Sequence, residues 1–187
     1  MTARRVPIFA TIVVIAAVLT MVALGVWQLG RRAEKEALLA SYTAAAGENG
    51  VVPFPIAGDG ADVWFRRSEV ECLGAPVIEP VAGTAASGQK GWVQRASCKV
   101  SGDAVVPVDL GFSRDLAKPA WPGGKLTGVI APGPRLVADP PIAGLQPMAK
   151  PDPGDLPNNH LAYAGQWFFF ALTALVIYVL ALRRRGR

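Results

Sequence analysis

The sequence predicts a membrane protein in which two transmembrane α-helices, one near each end of the chain, flank a small, mostly antiparallel β extracytoplasmic domain. No charged residue occurs from Val6 to Gly30 or from Leu161 to Leu182. Each stretch is longer than the roughly 20 helical residues needed to cross the hydrocarbon core of a bilayer. Hydrophobic residues make up 51% of the chain and charged residues 18%. This composition is too apolar for an ordinary soluble domain and indicates lipid-facing segments.

Basic residues at the two ends of the chain predict its orientation. The net charge is +5, and subtracting six terminal arginines leaves −1. These six are Arg4, Arg5, Arg183, Arg184, Arg185 and Arg187. Because cytoplasmic segments carry the excess of Lys and Arg, we expect both termini in the cytoplasm and the middle of the chain on the extracytoplasmic side. Arg31, Arg32 and Lys35 favour the opposite orientation, but the C-terminal cluster and the even number of spans outweigh them. The basic charge therefore predicts a lipid bilayer as partner and no nucleic acid.

The predicted organisation has five parts. We expect a cytoplasmic N-terminus at 1–6, a first transmembrane helix at 7–29, a periplasmic domain at 30–160, a second transmembrane helix at 161–182 and a cytoplasmic C-terminus at 183–187. The periplasmic part divides into a helical extension at 30–47, a β-rich core at 48–131 and a proline-rich connector at 132–157. A cleaved signal peptide is not favoured, because the first apolar stretch exceeds the usual length of about 7–15 residues and no small-x-small site follows it closely.

Local patterns support the elements within the periplasmic part. Residues 31–46 are rich in Ala, Leu, Glu and Lys, and the helix is expected to stop near Gly47. Residues 92–100 alternate, with Trp92, Ala96, Cys98 and Val100 on one face, which is typical of a half-buried strand. The runs AVVPVDLGF and KLTGVIAP predict further strands, with Pro107 favouring an edge or a bulge. The connector holds eight of the 16 prolines, and we expect no regular element in it.

The most informative motifs lie at the two membrane edges. GVWQLGRRAEK follows the first span, and PNNHLAYAGQWF opens the second. His160 is the single histidine of the chain. Asn158 or Asn159 can cap the second helix, and the helix dipole at its N-terminus then favours a neutral imidazole.

Three residues follow this histidine on one helix face, Tyr163, Ala164 and Trp167. A neutral histidine beside an aromatic wall and a small residue can ligate haem iron, and Arg31 and Arg32 can receive haem propionates. The competing interpretation is an interfacial belt of aromatic residues, with Trp27 in the belt and Gln28 in an interhelical hydrogen bond.

At both edges the sequence resembles the surfeit locus protein 1 family, the assembly factors of cytochrome c oxidase. The resemblance lies in G-x-W-Q-x-x-R-x-x-x-K from Gly25 and in N-N-H-x-x-Y-x-x-x-W from Asn158, with weaker similarity in WFRRSEVECLG and VPVDLGF. The chain departs from the family pattern at Phe112, where tryptophan is usual. The resemblance implies haem a handling through His160, which would ligate the iron transiently. The candidate cofactor-binding residues are His160, Tyr163, Trp167, Trp27, Gln28 and Arg31.

Other sites are poorly supported. Asp103, Asp109 and Asp115 are expected to be solvated surface carboxylates, and the sequence has neither a catalytic histidine arrangement nor a phosphate-binding glycine loop. Cys72 and Cys98 form neither a redox motif nor a zinc spacing. In an oxidising periplasm we expect them to pair, the alternative being two separately buried thiols.

Together with the resemblance, these observations predict an assembly factor of the bacterial inner membrane, with its β-rich domain in the periplasm, rather than an enzyme. It would receive or shield haem a while the haem-bearing catalytic subunit of cytochrome c oxidase matures. Two alternatives remain open: a haem-free clamp that chaperones this subunit, and a stably bound accessory subunit of the respiratory complex. An enzyme acting on envelope substrates is the least favoured hypothesis.

Overall fold

The computed structural model describes residues 7–142 and 144–184. Four of the six terminal arginines on which the orientation argument rests, namely Arg4, Arg5, Arg185 and Arg187, lie outside these residues. The described residues form two compact units. One contains the chain up to Leu38 and from Pro157 onward, and the other contains Leu39–Leu156.

Two long helices of the described chain are apolar enough to cross a membrane. Helix α1 spans Ile8–Ala46 and α2 spans His160–Arg184. Their large apolar side chains are mostly exposed, which suits a lipid environment and not a water-facing surface. The predicted two-helix membrane protein is therefore confirmed. Helix α1 continues without a break through the charged residues that follow the apolar stretch and ends before Gly47.

The two helices pack antiparallel through small residues within their own unit. A Cβ atom on Gly25 would lie 2.6 Å from the Phe168 ring, so this close approach requires glycine. Ala164 and Ala171 of α2 are also buried. Near the other end of the pair, the hydroxyl groups of Thr11 and Tyr178 share a hydrogen bond of 2.5 Å. Small residues at a close contact, with polar side chains bonded across it, are typical of helix pairs in membranes.

The described residues of the second unit contain a seven-stranded mixed sheet. Its strands are β1 (Val51–Pro53), β2 (Arg67–Cys72), β3 (Val77–Thr84), β4 (Lys90–Lys99), β5 (Val105–Ser113), β6 (Gly124–Ala131) and β7 (Arg135–Ala138). The order across the sheet is β1-β2-β6-β7-β5-β4-β3. Only the β1–β2 and β5–β7 pairs are parallel among the six pairings of the described strands. The predicted mostly antiparallel β domain is confirmed.

The sheet curls, so that two strands far apart in its order meet. Cys72 at the end of β2 and Cys98 on β4 form a disulfide with a Cα–Cα distance of 4.9 Å. Beside it, the Leu73 N–H donates to the Lys99 carbonyl oxygen at 2.7 Å. The main core is enclosed by this curl, and it includes both cysteines. The structure thus has the expected disulfide and not two separate thiols.

A β-bulge in β5 divides the core into two clusters. Val93 pairs with Phe112 and Arg95 with Asp109, so two residues of β5 oppose Gln94. The extra residue at Gly111 moves Phe112 out of the main core and into a second cluster with Val93. Gly111 has φ of 155°, a conformation available to glycine and strained for other residues.

Pro107 does not mark an edge strand. β5 lies between β4 and β7, so the edge alternative is wrong. The strand does contain a bulge, the other alternative, but the bulge lies near Gly111 and not at Pro107. The missing N–H is tolerated because β7 is short and pairs with β5 only at Val108 and Asp109.

The proline-rich connector also contains regular structure, contrary to expectation. Strand β7, Arg135–Ala138, lies in the middle of the sheet between β6 and β5. It forms because the prolines lie on either side of these four residues and leave their N–H groups free to pair. Further along, Gln146 and Met148 bridge to Phe112 and Ala85, and Met148 is buried in the second cluster. This part of the chain therefore completes the β domain.

Candidate functional site

The single histidine is bonded across the helix pair. His160 is the first residue of α2, and its Nδ1 lies 2.7 Å from Gln28 Oε1 on α1. Both side chains are partly buried. Gln28 lies where the apolar stretch of α1 gives way to charged residues, so the pair lies at the edge of the apolar region.

This hydrogen bond determines which imidazole nitrogen is available. An amide oxygen can only accept, so the His160 Nδ1–H group must donate to Gln28. In the neutral ring the remaining lone pair is then on Nε2. Histidines that ligate metals usually donate their other N–H to a carbonyl, carboxylate or water in the same way, which fixes the tautomer and the ring orientation. Gln28 was predicted either to bind cofactor or to form an interhelical hydrogen bond, and the bond is present with His160 as partner.

The two asparagines before the helix differ in role. The Asn159 carbonyl oxygen accepts from the Tyr163 N–H at 3.2 Å, which places Asn159 at the cap position. Asn158 Oδ1 is buried and has no hydrogen-bond partner among the described residues. The N-terminus of α2 therefore begins directly at His160, within reach of the positive end of the helix dipole.

The aromatic residues of the candidate site face different ways. Ala164 is 1% exposed and lies on the α1-facing side of α2, as does the partly buried Trp167. Trp167 packs edge-on against Phe170, with ring centroids 6.4 Å apart. Tyr163 is 50% exposed and Trp27 is 57% exposed. Trp167 is therefore the least exposed of these three rings.

The two arginines after the first span are engaged along their own helix. Arg31 pairs with Glu34, and Arg32 pairs with Glu36 at 2.7 Å. All four side chains are well exposed, and such surface pairs contribute about 0–1 kcal/mol. An incoming carboxylate can therefore displace either glutamate at little cost.

Asp109 is not the solvated surface carboxylate that the sequence predicted. It is 4% exposed and accepts hydrogen bonds from Arg95 and Arg135. Asp115 is exposed, as expected, and the Asp103 side chain lies outside what the structure describes. The strand pattern did not reveal the Asp109 cluster, because its three members come from β4, β5 and β7, and β7 was not predicted.

The described residues offer no protein-only metal site. No group of three or more His, Cys, Asp or Glu side chains among them converges on one point. His160 could thus supply one imidazole ligand to a metal that brings its other ligands with it, as haem iron does. The donor set fits haem and does not fit a bare ion.

Fold and site together define a membrane protein with an antiparallel helix pair, one histidine at the edge of its apolar region and a disulfide-bonded β domain. The model of the SURF1 family matches residues 15–172, which is most of the chain. The chain belongs to the SURF1 family, known as a cytochrome oxidase assembly family and not as a family of enzymes. Comparison with curated proteins found no match.

Proposed function

We propose that this protein assists cytochrome c oxidase assembly by holding haem a at the membrane edge, with His160 as the iron ligand. Family membership supports the assembly role, and the His160–Gln28 hydrogen bond supports the ligand role. That bond leaves Nε2 as the nitrogen with a free lone pair and holds the ring in one orientation.

The surroundings of His160 suit this cofactor. When bound, haem a supplies an iron that imidazole can ligate and carboxylates that basic side chains can pair with. Trp167, Tyr163 and Trp27 would flank the macrocycle, and Arg31 would receive a propionate in exchange for its exposed pair with Glu34. Gln28 would act as a positioning residue, because it contacts the histidine and not the iron.

The proposed location is the bacterial inner membrane, with both termini cytoplasmic and the β domain periplasmic. The partner would be the haem-bearing catalytic subunit of the oxidase. Ligation by a single protein side chain would permit release, which suits a factor that acts during maturation and then leaves.

The test is haem occupancy of the purified full chain after expression with haem a synthesis present. His160→Ala should lose bound haem while the protein stays inserted, because α2 keeps its apolar length. Gln28→Leu should weaken haem binding by about 10–100-fold, the usual effect of removing a partner of a ligating histidine. Gln28→Glu, which keeps an acceptor oxygen, should retain most of the affinity.

Gln166→Leu is the matched control, since Gln166 is an exposed glutamine on α2. It should leave haem occupancy unchanged. Wild-type occupancy in the His160→Ala protein would exclude the ligand role. A wild-type protein that never carries haem but still supports oxidase assembly would instead establish the haem-free clamp, and fixed stoichiometry in the mature oxidase would establish an accessory subunit.

A further inference from the structure

A cavity in the β domain carries more positive charge than its buried carboxylate neutralises. The cavity has a volume of about 220 Å³ and is lined by residues of β3, β4, β5 and β7 and of the segment 148–155. Asp109 is almost fully buried there. It accepts from Arg95 Nε at 2.6 Å, from Arg95 Nη2 at 3.1 Å and from Arg135 Nε at 3.0 Å. Two cations thus share one anion.

The other charged groups of the cavity do not cancel this surplus. Lys150 also lines it and pairs with Asp139 at 2.9 Å. Asp155 lines it as well, but it is exposed, so water and salt screen its charge. The hydrogen bond to Asp109 raises the pKa of the Arg95 guanidinium above its ordinary value, although burial opposes this. The Arg95 guanidinium therefore stays charged.

Both arginines also keep donors available. A guanidinium has five N–H groups in a planar fork. Arg95 uses two of them on Asp109, and Arg135 uses one on Asp109 and one on the Pro132 carbonyl oxygen at 2.7 Å. Among the residues that the structure describes, three N–H groups on each arginine have no acceptor. Each side chain is 35% exposed, so these groups remain reachable.

The shape and walls of the cavity restrict what it can hold. A volume of about 220 Å³ accommodates a group of several heavy atoms. Val81, Val93, Val137 and Met148 supply apolar walls beside the charged cluster. A planar carboxylate fits the planar array of N–H donors on a guanidinium, and its single negative charge balances the one excess positive charge of the cluster. A short alkyl chain on the carboxylate would contact the valine side chains.

We propose that this cavity binds a carboxylate carried on a short alkyl chain, with Arg95 and Arg135 as the recognising residues. Asp109 holds the two guanidinium groups in place from the buried side, and the free N–H groups face the ligand. This site lies wholly within the β domain and does not depend on haem binding by the helix pair.

The test uses the full chain in detergent, labelled with ¹⁵N-arginine, and butyrate as the probe. Butyrate should shift the Nε–H resonances of Arg95 and Arg135 saturably, with a dissociation constant on the order of 1 mM, as expected for one charge-assisted contact. Butanol, which has the same alkyl chain without the charge, should not. Chloride at equal ionic strength should give no saturable shift.

Variants of the cavity make the test specific. Arg135→Lys keeps the charge but loses the fork, and it should weaken butyrate binding by about tenfold. Asp155→Asn should change the affinity for butyrate by less than about twofold, because water and salt screen this exposed carboxylate. Arg114→Gln is the matched control, since Arg114 is an exposed arginine of the same domain that bonds to Gln89 outside the cavity. It should change nothing.

Two capped tripeptides distinguish the sources of the carboxylate. Binding of Ala-Glu-Ala but not Ala-Gln-Ala identifies a protein side chain, and binding of butyrate alone identifies a free acid. Either outcome supports the site. Absence of binding by butyrate and by the glutamate peptide, preference for phosphate, or equal binding in the Arg135→Lys protein would each overturn it, and then the cluster only cross-links three strands.

Discussion

Gln94 shows that alternation along a strand predicts which side chains are buried but not whether a buried polar group finds a hydrogen-bond partner. Gln94 follows the alternation of β4 and lies on the same face as Ala96 and Cys98. It is completely buried, and neither its amide nitrogen nor its amide oxygen has a hydrogen-bond partner among the described residues. A buried amide without partners destabilises the folded state by about 1–3 kcal/mol.

Replacing Gln94 by methionine should therefore stabilise the β domain. Methionine has a similar volume and no polar group, so the free energy of unfolding should rise by roughly 1–2 kcal/mol. Native-state hydrogen exchange of the β4 and β5 amides in the full chain measures this. Gln146→Met is the control, because Gln146 has an exposed side chain and should change stability by less than about 0.5 kcal/mol. A loss of stability in the Gln94→Met protein would mean that the amide has partners.

At the level of elements, the strands with alternating or apolar runs were predictable and the pairings between them were not. The runs over 92–100, AVVPVDLGF and KLTGVIAP correspond to β4, β5 and β6. Strand β7 was missed because four residues between prolines carry too short a pattern, and only pairing with two neighbours makes them a strand. The Arg95–Asp109–Arg135 cluster was missed for the same reason, since it exists only once β7 lies beside β5.

The close packing of α1 against α2 requires a glycine at position 25, which the sequence alone does not reveal. Gly25→Val should separate α1 from α2, because its side chain would enter the space of the Phe168 ring. Cross-linking of cysteines placed at Thr11 and Tyr178 by a short bifunctional maleimide, which replaces the reach of the tyrosine ring, reports the contact, and it should fall strongly in the variant. Gly30→Val is the matched control, since no atom lies within 4 Å of a Cβ at Gly30.

A second substitution tests whether Phe168 is the cause. Phe168→Ala combined with Gly25→Val should restore cross-linking, because the smaller residue makes room for valine. If the Gly25→Val protein cross-links as strongly as the wild type, the helices do not approach each other as closely as the contact between Gly25 and Phe168 indicates.

The disulfide joins β2 and β4, which are not neighbouring strands in the sheet. Replacing Cys72 and Cys98 together by alanine should lower the free energy of unfolding of the β domain by about 3 kcal/mol, since the bond closes a loop over a separation of 26 residues. Denaturant midpoints of the oxidised wild type, the reduced wild type and the double variant measure this. The last two should agree. Mass spectrometry of the alkylated, non-reduced chain should find no labelled thiol, and two labelled thiols would contradict the bond.

At the scale of the whole molecule, the basic residues beside the first span oppose the predicted orientation, although two of them are paired with glutamates. Arg31 and Arg32 are each paired with a glutamate one turn further along α1, while Lys35 follows them. Acidic residues contribute little to the positive-inside rule, so these pairs do not cancel the basic signal during insertion. The orientation therefore depends on whether Arg31, Arg32 and Lys35 or the terminal arginines have the stronger effect during insertion.

Alkaline phosphatase fusions can determine the orientation of the chain in the membrane. Alkaline phosphatase is active only outside the cytoplasm, so a fusion after Gly102, in the exposed turn between β4 and β5, should be active. A fusion after Arg187 should be inactive, because α2 returns the chain to the cytoplasm. Replacing Arg183, Arg184, Arg185 and Arg187 by glutamine removes the stronger cluster, and the C-terminal fusion should then gain activity in part of the molecules. The same change at Arg31, Arg32 and Lys35 should leave both fusions as in the wild type. An inactive fusion after Gly102 with an active one after Arg187 would place the β domain and its disulfide in the cytoplasm, where a stable disulfide is not expected.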